Sequence, residues 1–150
     1  MIKQTIDQDL KSAMLSGDKR TVNALRNIKS AISSAEIATG KREEGLADQE
    51  TITLLQKEQK KRAESAVLYE QGGNAESAAE ERFEEEVIQK YLPKQLDETE
   101  IKALIDEVIA ELNIELNNQA MGRIIAGVKQ KAGGAADGAT VARLVKERLS

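Results

Sequence analysis

Apolar residues recur along this chain at steps of three and four, the period of helices that bury one face. Ile2, Ile6, Leu10, Ala13 and Met14 form the first such stripe, and Gly17 ends it. Asp18 is suited to cap a second helix, on which Val22, Leu25, Ile28, Ile32 and Ala35 share a face until Gly40. Lys41 to Ala47 reads as a loop. Asp48 is then expected to cap a third helix, with Ile52, Leu55, Gln59, Arg62, Ala66 and Tyr69 in line. Gly72-Gly73 breaks the chain, and Asn74 caps a fourth helix carrying Phe83, Val87, Ile88 and Tyr91.

Pro93, the single proline, is the strongest punctuation. It disfavours a helical Leu92 and removes a backbone donor, so the fourth helix ends before it. Asp97 and Glu100 make a capping-box-like pair that starts a fifth helix, striped by Ile101, Leu104, Ile105, Val108, Ile109 and Leu112. Asn117-Asn118 opens a sixth, with Met121, Ile124, Ile125 and Val128, and Gly133-Gly134 closes it. Asp137 caps a seventh carrying Val141, Leu144, Val145 and Leu149. The pattern predicts an all-α protein. Its expected division is an N-terminal helical domain over 1–92 of about four helices, a linker over 93–96, and a three-helix C-terminal domain over 97–150.

Composition narrows the chemistry. With no Cys there is no disulfide, thiolate zinc site or cysteine nucleophile, and with no His there is no Ser-His-Asp triad or imidazole ligand. No Gly-x-x-x-x-Gly-Lys loop exists for a nucleoside triphosphate, and no Gly-x-Gly-x-x-Gly follows a strand. Ser33-Ser34 falls inside a predicted helix rather than on the strained turn a serine nucleophile needs. The run Glu80, Glu81, Glu84, Glu85, Glu86 lacks the Glu-x-x-His partners of a helical di-metal site and reads as a solvated face. Neither a metal nor a cofactor is expected. No apolar run approaches the ~18 residues of a membrane span, and the chain starts like neither a signal nor a transit peptide, so a cytoplasmic, monomeric protein with no membrane partner is expected.

Charge is spread unevenly. The net charge is −4, yet six bases stand against two acids between Asn118 and Ser150, while Glu80 to Glu111 holds eleven acids against four bases. Within the basic stretch, Gly122 and Gly127 lie inside a predicted helix, where each costs up to ~1 kcal/mol relative to Ala. Such glycines mark a close approach, of a neighbouring helix or of a nucleic-acid backbone. Gly133 to Gly138 leads into a helix N-terminus, where free amides bind phosphate, with Lys129 and Lys131 upstream and Arg143 and Lys146 downstream. The same residues also suit a plain helix–turn–helix corner with a solvated basic face. A second basic group comprises Arg26 and Lys29 on the second helix with Lys57, Lys60, Lys61 and Arg62 on the third; Arg62, on the apolar stripe, is placed to pair with an acid.

Three stretches together resemble the GatB/YqeY family: Leu25-Arg26-Asn27-Ile28-Lys29-Ser30-Ala31-Ile32, then Tyr91-Leu92-Pro93-Lys94-Gln95-Leu96 running into Asp97-Glu98-Thr99-Glu100, and Met121-Gly122-Arg123 through Asp137-Gly138 to Leu144-Val145-Lys146. The likeness runs in order over essentially the whole chain and is to the free-standing YqeY-like branch. It implies a C-terminal domain similar to the tail of the GatB subunit of the tRNA-dependent amidotransferases, a tail that contacts tRNA. It also implies carbon–nitrogen ligase activity with glutamine as amido-N-donor, at the level of the family. The residues argue against catalysis by this chain alone, because nothing in it is equipped to release ammonia from glutamine or activate a carboxylate.

The resemblance places the tail signature on Met121, Gly122, Arg123, Lys129, Lys131, Gly134, Asp137 and Gly138. Ala135 departs from it, standing where the family commonly has a base. The expectation is therefore a non-catalytic accessory protein that binds tRNA or another structured RNA. Arg123, Lys129, Lys131, Arg143 and Lys146 would meet phosphates, and Gly134 and Gly138 would allow close backbone approach. An aminoacyl-tRNA synthetase or an amidotransferase is the expected protein partner. The alternatives are an accessory part of a glutamine-dependent amidotransferase, and a helical protein–protein adaptor using the acidic fourth and fifth helices.

Overall fold

Asp18, Asn74, Asp97 and Asp137 each accept from a backbone amide at the start of a helix, where the first N–H groups have no partner within the helix. The computed structural model describes residues 1–150. It contains seven α-helices and no strand: α1 (Ile2–Ser16), α2 (Lys19–Ala38), α3 (Asp48–Gln71), α4 (Ala75–Gln89), α5 (Glu98–Leu112), α6 (Met121–Ala132) and α7 (Gly138–Leu149). Asp18 accepts from the Thr21 amide at 3.2 Å, and Asn74 accepts from the Ser77 amide at 3.1 Å. Asp97 and Glu100 form the reciprocal capping box at the start of α5. Gly17 takes the left-handed conformation, φ 73°, that closes α1.

Two helix starts differ from expectation. Asp48 is the first residue of α3 rather than its cap, and its carboxylate accepts instead from the Ile2 amide at 3.2 Å, serving the start of α1. Ala47 has no side-chain acceptor, so Glu50 alone reaches back, to the Ala47 amide at 3.3 Å. Ahead of α6, Asn117 caps a single 3-10 turn over Asn118–Ala120, and the α-helix proper starts at Met121.

The chain divides into two compact units, Met1–Leu92 and Pro93–Ser150. In the first, Ile6, Leu25, Ile32 and Leu55 are fully buried and pack with Val87 and Ile88, each side chain contributing roughly 1.5–3 kcal/mol by leaving water. The α3–α4 hairpin is the most extensive helix pair. Toward its tip only Ala66 and Ala78 are buried, and both lie outside the main core. Small side chains let the two helices approach without a wide apolar seam. Tyr69, expected on the buried stripe, is 40% exposed there.

In the second unit α5, α6 and α7 enclose Ile101, Ile105, Ile124, Val128, Val141 and Val145. Pro93–Leu96 belongs to this unit and is fastened to it. The Leu96 amide donates to the Ala135 carbonyl at 2.8 Å, the Gln95 amide group donates to the Gly134 carbonyl at 3.1 Å, and the Leu96 side chain packs on the core. No helix is long and apolar enough to cross a membrane.

Candidate nucleic-acid interface

The six bases of α6 and α7 fall into two groups according to what α5 places opposite them. Glu107 and Glu111, four apart, share one face of α5. Lys131 bridges both, at 3.1 and 2.7 Å, and its ammonium pKa is raised, chiefly by the hydrogen bond to Glu111 and then by that to Glu107. Arg143 pairs with Glu98 and, at 3.1 Å, with Glu147. Arg148 pairs with Asp106 at 3.1 Å. These are exposed pairs that solvent and salt screen, so a phosphate can compete for their cations. Arg123, Lys129 and Lys146 are exposed and have no acidic partner.

Local geometry sets Lys129 against the start of α7. Its Nζ stands 3.9 Å from where a Cβ on Gly138 would be, so the ammonium lies over the first turn of that helix. Asp137 caps the turn, accepting from the Thr140 amide at 3.0 Å and the Thr140 hydroxyl at 2.9 Å. Its carboxylate therefore occupies part of the amide cradle that the sequence offers to phosphate. What remains is the lysine beside a helix end whose leading residues, Gly138 and Ala139, are exposed and carry no large side chain.

Three of the glycines have different roles. Gly127 is a helix-packing position, since a Cβ there would stand 2.6 Å from Val108 Cγ1. Gly122 faces open space. Gly134, expected to admit a nucleic-acid backbone, is instead buried in a 3-10 turn and its carbonyl accepts from Gln95. It leaves the candidate surface because that carbonyl and the fold of the turn hold it inside. Of the seven predicted positions, Arg123, Lys129, Lys146 and Gly138 remain open at the surface, Lys131 and Arg143 are held by acids, and Gly134 is interior.

The sequence reading missed the carboxylates of α5 as partners of α6 and α7. Their signal was the pair Glu107 and Glu111 at i, i+4, opposite a basic helix. In the N-terminal unit the second basic group is likewise divided. Lys29 pairs with Asp7 at 2.7 Å, Lys61 with Glu58 at 3.4 Å, and Arg62 with Glu81 at 3.2 Å, Glu84 at 3.6 Å and Glu58 at 3.8 Å. Arg26 is exposed with no acidic partner. Four of the five glutamates in the acidic run of α4 thus pair with bases, Glu81 and Glu84 with Arg62, Glu80 with Arg20 and Glu85 with Arg82. Ser33 and Ser34 lie within α2.

Comparison with known proteins gives one assignment. No curated protein matches the chain. The family model for Yqey-like proteins matches residues 3–149, nearly the full length, and the chain belongs to that family.

Proposed function

We propose that this protein binds tRNA or another structured RNA through its C-terminal unit and acts as a non-catalytic accessory factor beside an enzyme that uses tRNA, a synthetase or an amidotransferase. The supporting observation is that Arg123, Lys129 and Lys146 stay exposed and unpaired while their neighbours on α6 and α7 are matched to acids. Unpaired exposed cations give up no internal bond when a phosphate arrives. Lys129 beside the first turn of α7 adds a helix end to its own charge. Phosphate contacts of this kind position a nucleic acid and make its binding salt-dependent. Joined to a larger enzyme, such a unit raises tRNA affinity by effective concentration.

The test is fluorescence anisotropy of labelled total tRNA across a salt series. The triple variant Arg123→Ala/Lys129→Ala/Lys146→Ala is expected to bind more weakly and to lower the slope of log K against log salt by about 2–3. Lys57→Ala/Lys60→Ala/Lys61→Ala changes net charge equally in the other unit and should leave the slope unchanged. Absence of binding at low salt, or an equal loss in both triples, would show that the C-terminal unit is not an RNA site.

A further inference from the structure

A second uncommitted basic surface lies in the N-terminal unit, and it is built differently. A groove of about 440 Å³ runs between the end of α1 and the first half of α2. Ala13 and Val22, both buried, form its floor; Met14, 54% exposed, forms one side. Lys19, Asn23 and Arg26 form the other. No acid lines the groove, and neither Lys19 nor Arg26 makes an ion pair.

We propose that this groove docks an acidic amphipathic helix of a partner protein. Lys19 and Arg26 are seven residues apart on one face of α2, about 10 Å along its axis. That is the spacing of two carboxylates at i and i+7 on a facing helix, with the apolar residues at i+3 and i+4 directed between them. Those residues would cover the carbons of Met14, Val22 and Ala13. Met side chains suit such surfaces because an unbranched thioether repacks around different shapes. Apolar anchors in a groove with complementary charges at the rim are how helices are recognised on helical domains. A nucleic acid is a poorer fit, since a phosphate backbone leaves Met14 uncovered.

The probe is a labelled helical peptide carrying Glu at i and i+7 and Leu at i+3 and i+4, with a second peptide in which Lys replaces both Glu, read by anisotropy against the full chain. The Glu peptide is expected to bind and the Lys peptide not. In Lys19→Glu/Arg26→Glu, affinity for the Glu peptide should fall at least tenfold while the Lys peptide gains binding; that exchange also shows that the variant is folded. Met14→Asp should weaken both pairings. Equal affinity for the two peptides, no response to charge reversal, or displacement of the Glu peptide by an RNA hairpin would overturn the proposal. So would sedimentation showing a wild-type dimer that the charge reversal dissolves, because the occupant would then be a second copy of this chain.

Discussion

Gly127 of α6 packs directly against Val108 of α5, so closely that a Cβ on the glycine would lie 2.6 Å from Val108 Cγ1. The valine is buried and branched, so it has little freedom to withdraw. Gly127→Ala gains up to ~1 kcal/mol of helix propensity and meets an overpacking cost of about 1–3 kcal/mol. The cost outweighs the gain over most of that range, and a net loss of up to about 2 kcal/mol is expected in urea unfolding. Gly122→Ala, in the same helix but facing open space, should instead stabilise by about 0.5–1 kcal/mol. Val108→Ala combined with Gly127→Ala should be less harmful than the two losses added, and strict additivity would show that the two side chains do not touch.

Those two glycines also show where sequence reading stops. Helix existence followed from local rules, because Asp18, Asn74, Asp97 and Asp137 each cap the helix expected of them and Gly17 closes α1. The same rules cannot tell Gly122 from Gly127, since both sit at helical positions in a basic segment and only the neighbour differs. Asp48 illustrates the same limit, for its carboxylate serves Ile2, 46 residues away, and not its own helix. The basic residues followed this pattern. Their clustering on α6 and α7 was legible, but which of them are neutralised depends on Glu98, Asp106, Glu107 and Glu111 of α5. Gly134 escapes local rules because it is buried in a 3-10 turn and its carbonyl accepts from Gln95, on a segment that those rules read as a linker.

Lys3 and Glu36 form the most enclosed ion pair of the N-terminal unit, at 2.7 Å, with the Glu36 side chain 4% exposed and the Lys3 side chain 36% exposed. Lys3 Nζ donates to both carboxylate oxygens. Lys3→Met leaves a buried carboxylate without its donor and should cost about 1–3 kcal/mol. Lys3→Met/Glu36→Met removes both charges at similar volume and should recover most of that loss. A double variant no better than the single one, by urea midpoint, would show that the pair contributes more than mutual neutralisation.

Two groups give stability a pH dependence at opposite ends of the scale. The Tyr91 hydroxyl donates to Asp9 Oδ2 at 2.5 Å, and burial first, then that bond to a carboxylate, raises its pKa. The folded chain therefore keeps the phenol proton to higher pH than the unfolded chain, where it leaves near pH ~10. Its contribution is complete below that value and is lost as pH rises toward the folded one. Asp18 is the reverse case. Its pKa is lowered mainly by the Thr21 hydroxyl and then by the Thr21 amide, so its contribution is complete above pH ~4 and fades as pH falls through the folded value. Urea midpoints across pH should show a smaller alkaline decline in Tyr91→Phe. In Asp18→Ala the deficit should be largest near neutrality and narrow in acid. A deficit independent of pH would mean that the Asp18 charge is not what caps α2.

Asp137 is expected to weaken phosphate binding at the proposed RNA surface. Its carboxylate holds the Thr140 amide and hydroxyl at 3.0 and 2.9 Å, and so places a negative charge at the helix end beside which Lys129 lies. A phosphate arriving there meets the favourable lysine and helix dipole together with an unfavourable acid. Asp137→Asn keeps an oxygen for the cap, since Asn caps about as well as Asp, and removes the charge. With the like charge beside the phosphate gone, tRNA binding should tighten a few-fold at low salt, while the helix loses no more than the about 0.3–1 kcal/mol that an acid contributes at its N-terminus. The gain should vanish when Lys129→Ala is added, because the phosphate then has no cation to hold it at that turn. If Asp137→Asn leaves tRNA affinity unchanged in a background that still binds through Arg123 and Lys146, the phosphate contacts lie along α6 and the outer face of α7, and the first turn of α7 is only a capped helix end.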